Sequence, residues 1–175
     1  MMELRSSIWA MLMALATWGM TGGTGHAAKD VQTTSGLPVP RYVSLKSDHV
    51  NVRVGPTKDQ DVSWIYTRAG LPVEVTAEFE NWRRVRDSEG AEGWVYHSLL
   101  SGRRTAVVTM KKKDELAALR DRPDEDSAVA ARLQAGVIAQ VKRCTGTWCR
   151  ITGDGFDGWI EQQRLWGVYS DEKVN

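Results

Sequence analysis

The 175-residue sequence has little of several features, and each scarcity excludes a class of protein. Net charge is almost absent, because 23 Lys and Arg nearly cancel 22 Asp and Glu, and the remaining +1 gives no broad basic field for nucleic acid or an anionic membrane. Long apolar runs are missing too: the charge-free run Ile8 to Met20 has 13 residues, whereas a membrane-spanning helix needs roughly 20. Disorder is excluded as well, since 42% hydrophobic residues suffice for a packed core.

Cysteine and phenylalanine are also scarce, with two of each, whereas tryptophan is abundant, with eight. A tryptophan side chain serves either as a core filler or as a flat platform for a ligand. How the eight tryptophans divide between these two roles is therefore the main question that the composition raises about the function of this protein.

The N-terminus has the pattern of a secretory signal peptide over residues 1–28. A positive residue precedes the apolar run, and Gly25 and Ala27 occupy the small positions that a signal peptidase requires. We expect cleavage after Ala27 or Ala28 and a periplasmic or secreted protein with no stable membrane anchor; a retained anchor is the alternative. Residues 29–40 are rich in Thr, Ser, Gly and Pro and are predicted to form an extended linker.

The remainder of the chain repeats itself, which decides the architecture. The stretch 52–56 matches 119–123 at an offset of 67 residues, and four further blocks follow in the same order at offsets of 66 or 65. We therefore predict a first copy at residues 41–103, a second copy at 105–168 and a C-terminal tail at 169–175. The later blocks pair Ala69-Gly70 with Ala135-Gly136, 82–85 with 148–151, 93–95 with 158–160, and Leu100 with Leu165.

Period-two alternation predicts short β-strands in the first copy. Apolar and polar residues alternate over 50–54 and, most clearly, over 73–80, and turn residues separate such stretches. In the second copy, 111–122 and 128–134 are rich in good helix formers. Because these segments align with strands of the first copy, we predict strands there too. The expected fold is all-β, with two tandem small five-stranded barrels.

These residues resemble the bacterial SH3-like family of exported tandem domains. The resemblance is carried by Asn51 with the stretch 52–56, where the family has an N-[VL]-R-x-x-P signature, and by the duplicated blocks that begin at Ala69, Trp82 and Gly93. It implies an SH3-like barrel that acts as a binding module, often for cell-wall or peptide ligands, and not as an enzyme. The second copy departs from the pattern, since an arginine replaces the glycine of the signature.

The two cysteines, Cys144 and Cys149, flank a predicted turn, where facing side chains come within reach of a disulfide. The first copy has Glu78 and Arg83 at these positions. We therefore predict that an ion pair and a disulfide make the same cross-strand contact in the two copies. A redox or metal-binding pair is the alternative, but the sequence has no third Cys and no nearby His to complete a metal site. We expect no metal and no cofactor.

Two pairs of tryptophans occupy matched positions in the two copies, which favours core or barrel-closing packing over ligand contact. Trp64 differs, because it and Tyr66 align with Ala130 and Arg132, so the barrel does not require these aromatic rings. They either fill the first copy or form part of a ligand groove. Such a groove would suit an extended, partly cationic peptide. Its candidate residues are Trp64, Tyr66, Asp59, Asp61, Tyr96 and His97.

No motif for a catalytic serine, a zinc protease or a phosphate-binding loop is present. An enzyme would have to use carboxylates such as Asp59, Asp61 and Glu92 in a cleft. The lysine run 111–113 is cancelled by the acidic residues after it and indicates a solvated connector, so we expect no nucleic-acid partner. The sequence therefore predicts an exported, non-catalytic binding module for a peptide or peptidoglycan component. The alternative is a structural subunit that docks onto another envelope protein.

Overall fold

The computed structural model describes residues 33–110 and 115–175. The predicted signal peptide with its predicted cleavage site, the start of the predicted linker and the lysine run 111–113 lie outside these ranges. Within them the chain forms strands and two short 3-10 helices, His97–Leu99 and Gln162–Arg164. None of the helices found there has the length and apolar character that crossing a membrane requires. The all-β prediction is therefore confirmed.

The first copy forms a seven-stranded antiparallel sheet with the strand order β3-β2-β6-β5-β4-β1-β7. The sequence pattern predicts five strands; β7 accounts for part of the difference, because its two residues are too few to give a periodic sequence signal. The strands are β1 (Arg41–Leu45), β2 (Val50–Arg53), β3 (Val62–Tyr66), β4 (Pro72–Phe79), β5 (Trp82–Arg86), β6 (Glu92–Tyr96) and β7 (Leu100–Ser101).

The second copy repeats this order as β10-β9-β13-β12-β11-β8-β14, and an eighth strand, β15, pairs with β11. The segments rich in helix formers contain β9 and β10, so the alignment predicted their structure correctly where local propensity did not. The strands are β8 (Thr105–Val108), β9 (Ala117–Arg120), β10 (Val129–Leu133), β11 (Ile138–Thr145), β12 (Trp148–Gly153), β13 (Phe156–Glu161), β14 (Leu165–Trp166) and β15 (Lys173–Val174).

Each sheet encloses its own apolar core, because the alternating residues of its strands point to one side. In the first copy the core includes Val50 and Val52 of β2 and Val73 and Val75 of β4, all fully buried. The core of the second copy includes Leu119, Ile151 and Ile160, which are fully buried, together with both cysteines. Strands β1 and β8 are buried on nearly every residue, because neighbouring parts of the chain cover their outer faces as well.

The hairpins β4–β5 and β11–β12 confirm the prediction that the same cross-strand contact is an ion pair in one copy and a disulfide in the other. Cys144 and Cys149 are cross-strand neighbours with Cα atoms 4.1 Å apart, and they form a disulfide. At the equivalent register Glu78 faces Arg83, with a carboxylate oxygen 3.1 Å from the guanidinium Nε. The two copies therefore close the same hairpin contact, one with charge and the other with a covalent bond.

Segments that precede the first copy and follow the second cover the two hairpins. Ser35, in the predicted linker, donates hydrogen bonds from its backbone N–H (2.8 Å) and its hydroxyl (2.7 Å) to the carboxylate of Glu78. At the other end of the chain, Val174 of β15 pairs with Cys144. The sequence had indicated only a tail for residues 169–175; in the structure this segment adds a strand to the second sheet.

Candidate functional site: a groove at the junction of the two copies

Strand β3 directs Trp64 and Tyr66 toward the interior of the first copy. Across the sheet Tyr66 lies opposite Val50, and Trp64 lies opposite Val52, both fully buried valines of the core. Tyr66 is buried, whereas Trp64 is half-buried and packs on the edge of the core. The ring of Trp64 lies over Gly93, where a Cβ atom would come within 3.1 Å of it. Trp64 therefore both packs against the core and presents part of its ring to solvent.

The structure corrects the alignment of these two aromatic residues. In the second copy Leu133 faces Ala117 just as Tyr66 faces Val50, so the counterpart of Tyr66 is Leu133 and that of Trp64 is Ala131. The sequence alignment places Ala130 and Arg132 there, because it applies an offset of 66 residues to β3. In the structure β3 keeps the offset of 67 that β2 has. A large buried side chain thus occupies the position of Tyr66 in both copies, whereas the position of Trp64 has a large side chain only in the first copy.

Beside Trp64 lies an open pocket of about 500 Å³, which we call the junction groove. Its walls come from β3, from the loop between β5 and β6, and from two positions of the second copy. The aromatic rings form one wall and polar loop residues the other. The lining residues are Trp64, Tyr66, Arg68, Leu71, Asp87, Ser88, Glu89, Ala91, Val107 and Gly136.

Asp87 organises the loop that forms the polar wall. One carboxylate oxygen accepts hydrogen bonds from the backbone N–H groups of Glu89 and Ala91, both at 3.0 Å. The other accepts the hydroxyl of Tyr66 at 3.1 Å. Burial and the negative charge of Asp87 raise the pKa of Tyr66 above its ordinary value of 10, so this hydroxyl remains a donor at neutral pH. The loop is thereby fixed to the strand that carries Trp64.

Charges of both signs border the groove. The carboxylate of Glu89 lies in an exposed position on the loop. On the other side, Arg68 donates a hydrogen bond of 2.8 Å to the carbonyl of Gly136 in the second copy. The groove therefore combines an aromatic face, the exposed carboxylate of Glu89 and the guanidinium of Arg68. This combination suits a peptide that carries both a positive and a negative group.

The predicted site residues fall into three places. Trp64 and Tyr66 line the junction groove, as described above. Tyr96 and His97 lie elsewhere: Tyr96 packs edge-on against Trp82, and His97 lines a different pocket. Asp59 and Asp61 are exposed in the loop after β2 and do not line the groove. The six candidates thus do not form one surface, although Lys58 of that loop lies 6.0 Å above the ring of Tyr96.

Sequence reasoning missed the loop residues that complete the groove. Turn residues occupy positions 87–90, but nothing in the sequence places that turn beside β3. The contributions of Val107 and Gly136 depend on how the two copies meet, which local patterns do not reveal. A usable signal was present in Asp87, because an aspartate that begins a tight turn commonly accepts hydrogen bonds from the backbone of that turn.

The matched tryptophans do not fill the cores. None of the four belongs to either core cluster. Trp82 is buried, whereas Trp94, Trp148 and Trp159 are partly exposed. Trp94 alternates with the buried Gly93 and Val95 and so points away from the core. These three partly exposed rings therefore do not pack inside the cores, and a barrel-closing role for them stays a prediction.

Both cysteines of the chain form the disulfide, so neither is a free thiol. In the part of the chain that the structure describes, no group of three or more His, Cys, Asp or Glu side chains is placed to hold a metal ion.

The comparison with protein families decides the identity of the fold. The model described as "Bacterial SH3 domain" matches the chain twice, at residues 46–102 and 113–167. The chain belongs to the bacterial SH3 domain family. The two matches together span more than half of the chain, and each falls within one of the two sheets, so both sheets are bacterial SH3 domains in tandem.

Solved structures that match the tandem bacterial SH3 domains are distant. NlpC2 from Trichomonas vaginalis is 14% identical, with a TM-score of 0.33, over 74% of this chain and 49% of that chain. An NlpC/P60 family protein from Bacillus cereus is 12% identical, with a TM-score of 0.30, over 71% of this chain and 55% of that chain. The chain thus spans about half the length of these proteins. No curated protein matches it significantly.

Proposed function

We propose that this protein is a non-catalytic binding protein of the cell envelope, and that the junction groove holds a peptide or peptidoglycan component. One observation carries the proposal: the half-buried ring of Trp64 forms a wall of a groove that also contains an exposed carboxylate and a guanidinium. The location in the envelope rests on the signal-like N-terminus and on the single disulfide, since disulfides persist in oxidising compartments.

The chemistry of the groove favours an extended ligand with an ammonium group. Such a group gains from the face of an indole and from a nearby carboxylate. Glu89 is the carboxylate best placed for this role, because Asp87 is occupied by three hydrogen bonds within the protein. Arg68 would pair with a carboxylate of the ligand. A peptide with charges of both signs, such as a cell-wall peptide, meets these requirements.

The second copy lacks the principal ring, because Ala131 occupies the position of Trp64. The second copy also lacks the carboxylate that organises the loop, because Gly153 is at the position of Asp87. We therefore assign binding to the side of the groove that the first copy provides.

The proposal is tested by co-sedimentation of the purified protein with purified peptidoglycan sacculi. We expect retention of the wild type, with loss of at least about fivefold in affinity for Trp64→Ala and a smaller loss for Glu89→Gln. Trp159→Ala is the matched control, because it removes a partly exposed tryptophan outside the groove. Wild-type protein that is not retained, or Trp64→Ala that binds as tightly as the wild type, contradicts the proposal.

A second function, docking onto another envelope protein, is favoured by exposed apolar residues at the β3 end of the first sheet. Val54, Val62 and Ile65 are 59%, 41% and 42% exposed, and β3 is the terminal strand of its sheet. Co-purification of a defined envelope protein, abolished by Val62→Ser and Ile65→Ser and unaffected by Trp64→Ala, would favour docking over peptide binding.

A further inference from the structure

The junction groove takes part of its lining from each copy. Trp64, Tyr66 and Leu71 belong to the first copy, whereas Val107 and Gly136 belong to the second. The shape of the groove therefore depends on the relative position of the two copies. What holds the copies together also determines whether the groove is formed.

Two hydrogen bonds cross directly from one copy to the other near the groove. The hydroxyl of Thr105 donates to the carbonyl of Gly70 at 2.7 Å, and Arg68 donates to Gly136 at 2.8 Å. The Arg68 bond is exposed, and an exposed hydrogen bond contributes little net stability. The Thr105 bond is buried, and the ring of Trp166 in the second copy lies edge-on to the ring of Tyr42 in the first, with centroids 5.4 Å apart.

The C-terminal segment, residues 167–174, adds further contacts with the first copy through Tyr169. The ring of Tyr169 packs on the ring of Tyr42, with centroids 4.7 Å apart, and its hydroxyl donates to Glu74 at 2.9 Å. Glu74 also pairs with Arg86. Although Glu74 lies on the outer face of β4, it is only 3% exposed. A carboxylate this buried is strongly tied to its partners.

The same segment is fixed to the second copy and to the connector between the copies. The carboxylate of Glu172 accepts two hydrogen bonds from Arg104, at 2.7 and 3.0 Å. The buried side-chain amide of Gln162 donates to the carbonyls of Tyr169 (2.7 Å) and Glu172 (3.0 Å). Val168 packs in the core of the second copy. Tyr169 thus joins the two copies from a segment that the second copy holds in place.

Gly167 shows how closely the segment passes between the copies. A Cβ atom at this position would lie 2.5 Å from the carbonyl oxygen of Thr105 and 3.0 Å from Pro72 of the first copy. Its φ of +117° lies in a region that other residues rarely adopt. The start of the segment is therefore fixed by contact with both copies.

We propose that the junction groove is a composite site and that the C-terminal segment holds it in its binding geometry, through Tyr169 on the first copy and Glu172 on Arg104. The part concerning ligand affinity rests on the proposed function; the part concerning the coupling of the copies does not. Tyr169 and Glu172 do not line the groove and act as positioning residues.

The test compares the variant Tyr169→Ala/Glu172→Ala with the wild type in full-length protein. We expect roughly fivefold weaker binding to purified sacculi. We also expect faster amide hydrogen exchange at residues 68–71 and 105–108, where the copies meet, while exchange in the core strands β5 and β12 stays slow. Lys173→Ala, an exposed position of the same segment, is the matched control and should change neither measurement.

The two readouts separate the possible failures. If the double variant binds sacculi as tightly as the wild type, the composite-site proposal is wrong. If the wild type does not bind sacculi, the proposed function fails, and unchanged exchange at residues 68–71 would then refute the coupling as well. Should the double variant not fold, Tyr169→Phe removes only the hydrogen bond to Glu74 and keeps the ring. It should produce a smaller change in the same direction, and no change in exchange would contradict the proposal.

Discussion

The hairpins of the two copies fulfil one structural requirement with different chemistry. In the second copy, Cys144 and Cys149 join the strands covalently and lie in the core. In the first copy, Glu78 and Arg83 occupy the same register and join them by charge. The comparison teaches that the fold specifies a close cross-strand contact at this position but not the kind of bond.

The ionic version does more than close the hairpin. The side chain of Glu78 is 1% exposed and also pairs with Arg41 at 2.6 Å, and Ser35 donates to it twice. Burial opposes ionisation of Glu78, but the hydrogen bonds from Ser35 and Arg41 and the charge of Arg83 outweigh it and lower the pKa. The second hairpin is covered differently, because Val174 pairs with Cys144 through the backbone.

The largest effect is expected when the ion pair of the first copy is removed. Glu78→Gln leaves two arginines without their carboxylate and should lower the free energy of unfolding by about 3 kcal/mol. Urea denaturation measures it. Glu80→Gln, an exposed carboxylate in the same hairpin, is the control and should leave the midpoint unchanged. A loss for Glu78→Gln no larger than that of the control would show that the ion pair is dispensable.

The next largest effect is expected when the disulfide of the second copy is removed. Cys144→Ser with Cys149→Ser should lower the free energy of unfolding by about 2 kcal/mol, because the disulfide closes a short loop and restricts the unfolded chain modestly. Wild-type protein unfolded with and without a thiol reductant should show the same difference. Equal stability in the two redox states would mean that packing alone holds this hairpin.

Acid should affect the two hairpins differently. The folded pKa of Glu78 lies below the ordinary value of 4.5, so its stabilisation is complete above pH 4.5 and is lost as pH falls below it. The disulfide does not titrate. Glu172, whose pKa is lowered by Arg104 and the Tyr169 N–H in spite of burial, behaves like Glu78.

Stability measured from pH 6 to pH 3 should therefore fall less steeply in Glu78→Gln than in the wild type. The remaining slope should decrease again when Glu172→Gln is added. Parallel curves for the wild type and both variants would show that neither carboxylate is responsible for the acid sensitivity.

The smallest effect concerns ion pairs that both copies share. Arg84 pairs with Glu92 at 2.6 Å, and Arg150 pairs with Asp157 at 2.8 Å, at matched positions and largely exposed. Exposed pairs of this kind contribute little, because water already solvates both charges. Glu92→Gln and Asp157→Asn should each leave the urea midpoint within experimental scatter. A clear loss of stability for only one of the two variants would mean that the two ion pairs differ in a way that their exposure does not explain.

Much of the fold could be predicted from the sequence, because the signals were local and occurred twice. Alternation over 73–80 predicted β4, one of the two eight-residue strands, and the alignment predicted strands where the segments around β9 and β10 have helical propensity. The candidate site was predicted less well. Trp64 and Tyr66 line the groove, but Tyr96 and His97 do not, because a sequence pattern does not specify which strand ends meet.

The sequence by itself determined the duplication, the strand-rich copies and the paired positions that became an ion pair and a disulfide. These features depend on period-two burial and on turns of a few residues. Tertiary structure alone decided that Asp87 meets Tyr66, that Glu74 is buried under Tyr169, and that both copies line one groove. The reason is physical: such contacts join residues up to 95 positions apart, and their formation depends on how the sheets curve and pack.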